Sequence, residues 1–284
     1  LKIFTTIDSR MQQYAEEAVG EHLALDLQPA FDETAKNFRR PPYSDDLTAD
    51  QVDQIMETAI RRTDRYRNMA GRFSEDSIKK AFNTAVPMKV FSWEGDIDTV
   101  MTPYDSVLYY KHFVRSSFMA MEPQSGHVKA YVGGPDFRFF KYDGVNQQRK
   151  QVGSTIKPFL YTLAMQEGYS PCYEVENIPR DFYDPVKDTI WSPRSSGPRE
   201  YHGKMVTLKW GLANSENYIS AWLMKQFSPQ AVADLMARMG INRRYIEAVN
   251  SIFLGTSVLT LDEMVGAFST YANKGVFTDP IVVS

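Results

Sequence analysis

The pair of side chains best suited to chemistry is Ser154 and Lys157, a serine followed three residues later by a lysine. Gly153 precedes the pair and Pro158 follows it, and proline is tolerated only near the first turn of a helix. The sequence therefore predicts a helix from about Ser154, with hydroxyl and amine on one face. A desolvated lysine can take the serine proton, and free N–H groups of the first turn can stabilise an oxyanion.

A second motif decides how this pair is interpreted. Alone, Ser-x-x-Lys is a weak pattern, because a capping serine and a solvated lysine also produce it on many surface helices. Further along the chain lies Ser215-Glu216-Asn217, a Ser-x-Asn triplet. Ser-x-x-Lys together with such a triplet and Lys-Thr-Gly is typical of penicillin-binding proteins and serine β-lactamases. The two motifs together predict a nucleophilic serine.

Composition limits the other possibilities. With 43% hydrophobic and 24% charged residues, the 284-residue chain is an ordinary globular sequence. The net charge of -3 and the lack of a basic stripe argue against nucleic acid as a partner. The longest uncharged stretch, residues 248–261, is too short to span a bilayer. The single Cys172 cannot form an internal disulfide, and the four scattered histidines suggest no metal site; we expect no cofactor.

The elements that must position these motifs can be read from the pattern of apolar residues. We expect a helix after Asp8 or Ser9 and a second helix that opens at Leu47. Between them, residues 28–46 are polar, and residues 39–42 should form an irregular connection. Strand-like residues 114–121 and 127–132 flank a turn, which predicts a hairpin at the start of a central antiparallel sheet.

The second half of the sequence is predicted to be mostly helical. Residues 176–203 have no periodicity and should form a long surface loop, whereas Thr260 and Glu263 form a capping box. The fold class is therefore α+β, with an antiparallel sheet and a helical part. Both ends of the chain are strand-like, which suggests a fragment.

Several segments now resemble one family, the class A penicillin-binding proteins, which are bifunctional peptidoglycan synthases. Residues 149–159 look like the family's nucleophile segment, and residues 121–134 resemble the strand pair that precedes it. Residues 211–217 match its second motif, and residues 5–8 resemble the link between its glycosyltransferase and transpeptidase domains. No Lys-Thr-Gly triplet follows residue 217, although the family has one on the strand beside its active site.

The resemblance implies a penicillin-binding or serine β-lactamase-like transpeptidase fold at residues 86–284, truncated before its last strands. Residues 1–85 would be a linker or interdomain region. The parent protein would carry a glycosyltransferase domain and a membrane anchor before this chain. It would work in the bacterial cell envelope, on the outer, periplasmic face of the cytoplasmic membrane. If the chain ends at Ser284, its site lacks the third motif and is incomplete. Two alternatives then stay open: an inactive fragment, or a fragment whose acylation does not need that motif.

The same resemblance implies a role for each site residue in a D,D-transpeptidase. Ser154 would attack the penultimate D-alanine of a peptidoglycan stem peptide, and Lys157 would take its proton. Ser215 would relay a proton to the leaving amine, and Asn217 would hold Lys157 and bind the substrate amide. β-Lactam antibiotics, which mimic D-Ala-D-Ala, would stop at the acyl-enzyme.

Two alternatives remain open. A serine β-lactamase would need a glutamate after the Ser-x-Asn motif to activate water, and Glu247 has the wrong spacing and context. The second alternative is a non-catalytic penicillin-binding-like sensor or interaction module with a vestigial site. The presence of all four motif residues argues against it.

Overall fold

The chain forms two compact units in the computed structural model, which describes residues 2–184 and 186–283. One unit consists of Gln13–Ser117 and Val132–Tyr142. The other consists of Leu1–Gln12, Phe118–Tyr131 and Asp143–Ser284, and it contains both sequence motifs.

The chain up to residue 111 is mostly helical, with one antiparallel strand pair. Asp8 caps the first helix as predicted, since its carboxylate accepts from the N–H groups of Arg10 and Met11 at 3.0 and 3.1 Å. The elements are α1 (Ser9–Glu21), a π-helical stretch (His22–Leu27), α2 (Gln28–Ala35), α3 (Ala49–Arg61), α4 (Asp64–Met69), α5 (Glu75–Phe82), β1 (Val86–Val90), β2 (Ile97–Met101) and α6 (Pro103–Lys111).

Residues 39–42 are irregular as predicted, but the polar stretch before them contains a helix that was not predicted, α2, at residues 28–35. Pro29 lies in the first turn of α2, where its missing N–H leaves no bond unmade. A helix of eight residues is too short to show a clear periodic apolar face in the sequence. The capping box that opens α3 pairs Thr48 with Gln51 and confirms the predicted second helix.

An aromatic cluster forms a core in the first unit. The ring of Phe91 lies edge-on to Trp93, Phe113 and Phe140, with ring centroids 5.1–5.2 Å apart. Phe137, by contrast, is 79% exposed. The aromatic residues that precede the Ser154 motif are therefore partly core and partly surface.

The chain from residue 118 onward alternates short strands with helices. Its strands pair in two-stranded antiparallel sheets among the described residues, and the predicted hairpin is present as β3 and β4. The elements are β3 (Phe118–Met121), β4 (Val128–Val132), β5 (Lys150–Gln151), α7 (Lys157–Gln166), β6 (Glu174–Glu176), β7 (Phe182–Asp184), β8 (Thr189–Trp191), β9 (Met205–Thr207), α8 (Leu208–Ala213), α9 (Asn217–Gln226), α10 (Pro229–Arg238), β10 (Val258–Leu259) and α11 (Leu261–Ala272).

Residues 176–203 are more regular than predicted. They include the β7–β8 hairpin and a 3-10 turn at Arg199–Tyr201, and β6 pairs with β9 at the two ends of the segment. Strands of three residues are too short to show alternation in a sequence. The prediction of a long surface loop therefore missed these elements.

The helix α7 is the centre of the second core. Its side chains Phe159, Leu160 and Ala164 are fully buried, and α9 and α10 pack against it. Because so many side chains of α7 are apolar and buried, packing against these neighbouring helices holds it in place. Over residues 2–184 and 186–283, no helix has the length and apolar character that crossing a membrane requires.

Candidate active site

The Ser154 motif lies at the entrance of this buried helix. Ser154 belongs to a 3-10 turn, Gly153–Ile156, and Lys157 is the first residue of α7. The predicted helix start is confirmed, although its first turn is tighter than an α-helix. Gly153 has a φ of 56°, a left-handed value that favours glycine. Ser154 is exposed, whereas Lys157 is 1% exposed, so an accessible hydroxyl lies one turn before a buried amine.

The second motif forms a sharp bend between α8 and α9. Ser215 has a φ of 53°, which is uncommon for a residue other than glycine. The N–H of Ser215 donates to the carbonyl of Leu212 at 3.0 Å, and that of Glu216 donates to Gly211 at 2.8 Å. These bonds end α8, and α9 begins immediately afterwards at Asn217. The strained bend turns both the hydroxyl and the carbonyl of Ser215 toward Lys157.

Lys157 joins the two motifs. Its Nζ donates to the Oγ of Ser215 at 3.1 Å and to the Oδ1 of Asn217 at 2.7 Å. It also donates to the carbonyl oxygen of Ser215. Three acceptors match the three N–H donors of an ammonium group. The hydroxyl of Ser154 forms no hydrogen bond within the described part of the chain, so the structure brings together three of the four predicted site residues by direct bonds.

The surroundings of Lys157 change its acidity. Burial lowers the pKa of Lys157 to about 8, and the negative charge of Glu216 acts in the opposite direction. With a pKa of about 8, about one Lys157 side chain in ten is neutral at pH 7. The amine can therefore accept a proton near neutral pH, which an ordinary surface lysine does rarely.

A buried carboxylate at this site was not anticipated from the sequence. Glu216, the middle residue of the second motif, has no exposed surface and contacts residues 195–197. The Ser-x-Asn pattern leaves its middle position variable, so it gives Glu216 no role. Residues 176–203, which bury Glu216, were expected to lie on the surface. The available signal was a run of small residues, Ser195-Ser196-Gly197, which can approach another backbone closely.

Another contact supports the turn that carries Ser154. In the antiparallel pair of β5 and β10, Gln151 faces Val258. The pairing continues to the turn, where the N–H of Gly153 donates to the carbonyl of Gly255 at 3.2 Å. The segment in front of Ser154 is therefore held by backbone bonds from a distant part of the chain.

Two protein-family models match the chain. Residues 116–284 match the family described as Penicillin binding protein transpeptidase domain, and residues 39–114 match the Penicillin-binding protein middle domain. The predicted border between residues 85 and 86 stays a prediction.

Relatives of known sequence are bacterial. The chain is 27% identical over 318 residues to penicillin-binding protein 1A of Vibrio cholerae, covering 100% of this chain and 38% of the relative. It is 33% identical over 171 residues to penicillin-binding protein 1A of Escherichia coli, covering 60% of this chain and 20% of the relative. The chain thus spans well under half the length of these relatives.

The fold agrees as well. The crystal structure of penicillin-binding protein 1A from Haemophilus influenzae matches 99% of this chain and 44% of its own, with a TM-score of 0.65 and 22% identity. The predicted transpeptidase fold is therefore confirmed.

Proposed function

Because the chain belongs to the penicillin-binding protein transpeptidase family, a family of serine acyl-transferases, we propose that it carries the D,D-transpeptidase site that cross-links peptidoglycan stem peptides. One observation supports this most directly. The buried Lys157 bonds to both polar side chains of the second motif, at the start of the helix that follows an exposed Ser154. A buried amine held in this way is a suitable base for a serine nucleophile close to it.

In the first step, the neutral amine of Lys157 takes the proton of Ser154 while the serine Oγ attacks the carbonyl carbon of the penultimate D-alanine. A C–O bond forms and the amide C–N bond to the terminal D-alanine breaks. The leaving nitrogen takes a proton, passed from Lys157 through the hydroxyl of Ser215. Ser215 Oγ, 3.1 Å from Lys157 Nζ, is within proton-transfer reach. The backbone N–H of Ser154 is one donor to the oxyanion.

In the second step, the amine of another stem peptide attacks the ester carbonyl of the acyl-enzyme. A new amide bond forms, the C–O bond to Ser154 breaks, and the amine proton returns through Lys157 to the serine oxygen. Asn217 holds Lys157 during both steps and binds the substrate amide. A β-lactam that opens on Ser154 stops after the first step.

The setting of this activity is part of the same proposal. The relatives named penicillin-binding protein 1A are more than twice as long as the matched chain, which leaves room for further domains. We infer a parent protein with a glycosyltransferase domain and a membrane anchor, acting in the bacterial cell envelope on the periplasmic face of the cytoplasmic membrane.

The test is covalent labelling with benzylpenicillin, followed by intact mass and peptide mapping. We expect one adduct on Ser154, its loss in Ser154→Ala and its retention in Thr155→Ala. Thr155 is a matched control, because it carries an exposed neighbouring hydroxyl, which donates to the carbonyl of Val152 at 2.6 Å. An adduct that persists in Ser154→Ala contradicts the proposal. So does a folded wild type that stays unlabelled both as this chain and in a longer version that continues past Ser284 to a Lys-Thr-Gly triplet.

A second assay separates the alternatives. Incubation with a D-Ala-D-Ala peptide and an amine acceptor should release D-alanine and form a new amide. Labelling without any turnover of the peptide would support the sensor. Release of the penicilloyl group within seconds would support a β-lactamase.

A further inference from the structure

Glu216 is the middle residue of the Ser-x-Asn motif, where any residue type is allowed, yet its carboxylate accepts four hydrogen bonds. One carboxylate oxygen accepts from the hydroxyl of Ser195 at 2.9 Å and from the N–H of Gly197 at 2.8 Å. The other accepts from the N–H groups of Tyr218 at 3.0 Å and of Ser196 at 3.4 Å. Both oxygens therefore face donors only, as suits a charged carboxylate with no exposed surface.

The segment bound by Glu216 in turn holds the two neighbours of Glu216. The hydroxyl of Ser196 donates to the carbonyl of Ser215 at 2.6 Å and accepts from the N–H of Asn217 at 3.1 Å. The side-chain amide of Asn217 donates to the carbonyl of Arg194 at 2.8 Å. This last bond orients the amide, because Nδ2 faces Arg194 and Oδ1 is left to face Lys157.

The carboxylate and the segment also fit each other sterically. A Cβ atom on Gly197 would overlap the Oε2 of Glu216 and lie 3.5 Å from the ring of Trp210. Only glycine leaves room at this position. The hydroxyl of Ser195 donates its single proton to Glu216. In its 2.9 Å contact with His202 it must therefore accept, and the Nε2–H of the histidine donates.

We propose that Glu216 is a positioning residue: it binds residues 194–197 to the second motif and thereby aims the carbonyl of Ser215 and the amide of Asn217 at Lys157. This inference rests on the proposed transpeptidase function for its kinetic consequences. The effect of Glu216 on the pKa and the hydrogen bonds of Lys157 does not depend on that function.

The charge of Glu216 adds an electrostatic effect. Burial lowers the pKa of Lys157, and Glu216 partly restores it. Within the described part of the chain, the ionisable groups around the carboxylate include Tyr161, whose pKa burial raises, and His202, reached through Ser195. Neutralising Glu216 should therefore lower the pKa of Lys157 further while loosening its acceptors.

The experiment compares Glu216→Gln with Glu200→Gln, a control in which an exposed carboxylate of the neighbouring 3-10 turn is neutralised. The rate of benzylpenicillin acylation is measured from pH 6 to pH 10, and the ¹³Cε signal of Lys157 is titrated by NMR in selectively labelled protein. We expect Glu216→Gln to slow the limiting rate roughly tenfold or more and to move both titrations of Lys157 to lower pH. Glu200→Gln should match the wild type.

Two further arms keep the outcomes distinct. A folded Glu216→Gln variant with unchanged rate and unchanged Lys157 titration overturns the positioning role. If the wild type is acylated neither as this chain nor in the longer version, the proposed function fails, but the Lys157 titrations still test Glu216. If Glu216→Gln does not fold, Gly197→Ala, which keeps the charge but displaces it, must lower the limiting rate; an unchanged rate overturns the inference.

Discussion

Gly255 lies directly against the backbone of Gly153: a Cβ atom on Gly255 would overlap the carbonyl group and the nitrogen of Gly153. The N–H of Gly153 also donates to the carbonyl of Gly255 at 3.2 Å. Since Gly153 immediately precedes Ser154, this contact places the turn that carries the proposed nucleophile.

Substitution of Gly255 should therefore slow the reaction more than substitution of a glycine that has the same backbone conformation but no such contact. Gly255→Ala should slow benzylpenicillin acylation by at least about tenfold, since small displacements of a nucleophile lower rates strongly. Gly71→Ala is the matched control, because Gly71 has a φ of 77° beside the 76° of Gly255 and has no atom within 4 Å of its ideal Cβ position. Equal acylation rates for the two variants would contradict this role of Gly255.

Lys157 should not tolerate replacement by arginine. Arginine keeps a positive charge but stays protonated, so it cannot accept the proton of Ser154. We expect Lys157→Arg to slow acylation roughly 10²- to 10⁴-fold, the usual contribution of a general base. Lys150→Arg, an exchange at an exposed lysine of β5, should leave the rate within about twofold. Stopped-flow measurement of acylation, with thermal unfolding as a check of folding, decides the outcome.

The pH dependence follows from the lowered pKa of Lys157. Because the neutral amine is the active form, the acylation rate should rise about tenfold per pH unit below pH 8 and level off above about 8. A rate that is constant from pH 6 to pH 9 would show that Lys157 is not the base.

The same pKa also predicts an effect on stability. Lys157 has a pKa of about 8 in the folded protein and an ordinary value of 10.5. Between these two pH values, Lys157 is protonated less in the folded protein than in the unfolded chain. The contribution of Lys157 to the free energy of unfolding should therefore increase with pH across this window. Chemical denaturation of the wild type and Lys157→Met at pH 7.5 and pH 10 measures the difference. An identical pH dependence for the two proteins would contradict the lowered pKa.

Gly240 and Gly168 separate backbone conformation from packing. Both follow helices with nearly the same φ, 95° and 92°, but a Cβ atom on Gly240 would overlap the ring of Phe277 whereas Gly168 faces open space. We expect Gly168→Ala to cost about 1–2 kcal/mol for the left-handed backbone. Gly240→Ala should cost about 1–3 kcal/mol more, because the ring must move. Equal losses of unfolding free energy for the two variants, measured with urea, would show that the ring of Phe277 moves aside without cost.

Local features could be read from the residues because they depend on neighbours within one turn. Asp8 and Thr48 cap helices by bonding to N–H groups two or three residues ahead, and such bonds need no other part of the chain. The start of the helix at Ser154 could be predicted for the same reason. The failures were also local: α2 and the β7–β8 hairpin are too short for their periodicity to be detected.

The sequence by itself determined which residues could form the site, because Ser154, Lys157, Ser215 and Asn217 stand in recognisable spacings. Only the tertiary structure decided how three of them meet, with Lys157 buried and bonded to residues 58 and 60 positions away. It also decided that Glu216 is enclosed by residues 195–197 and that Gly255 supports the turn before Ser154. Such contacts depend on which distant segments are buried together, and no interaction between sequence neighbours specifies that choice.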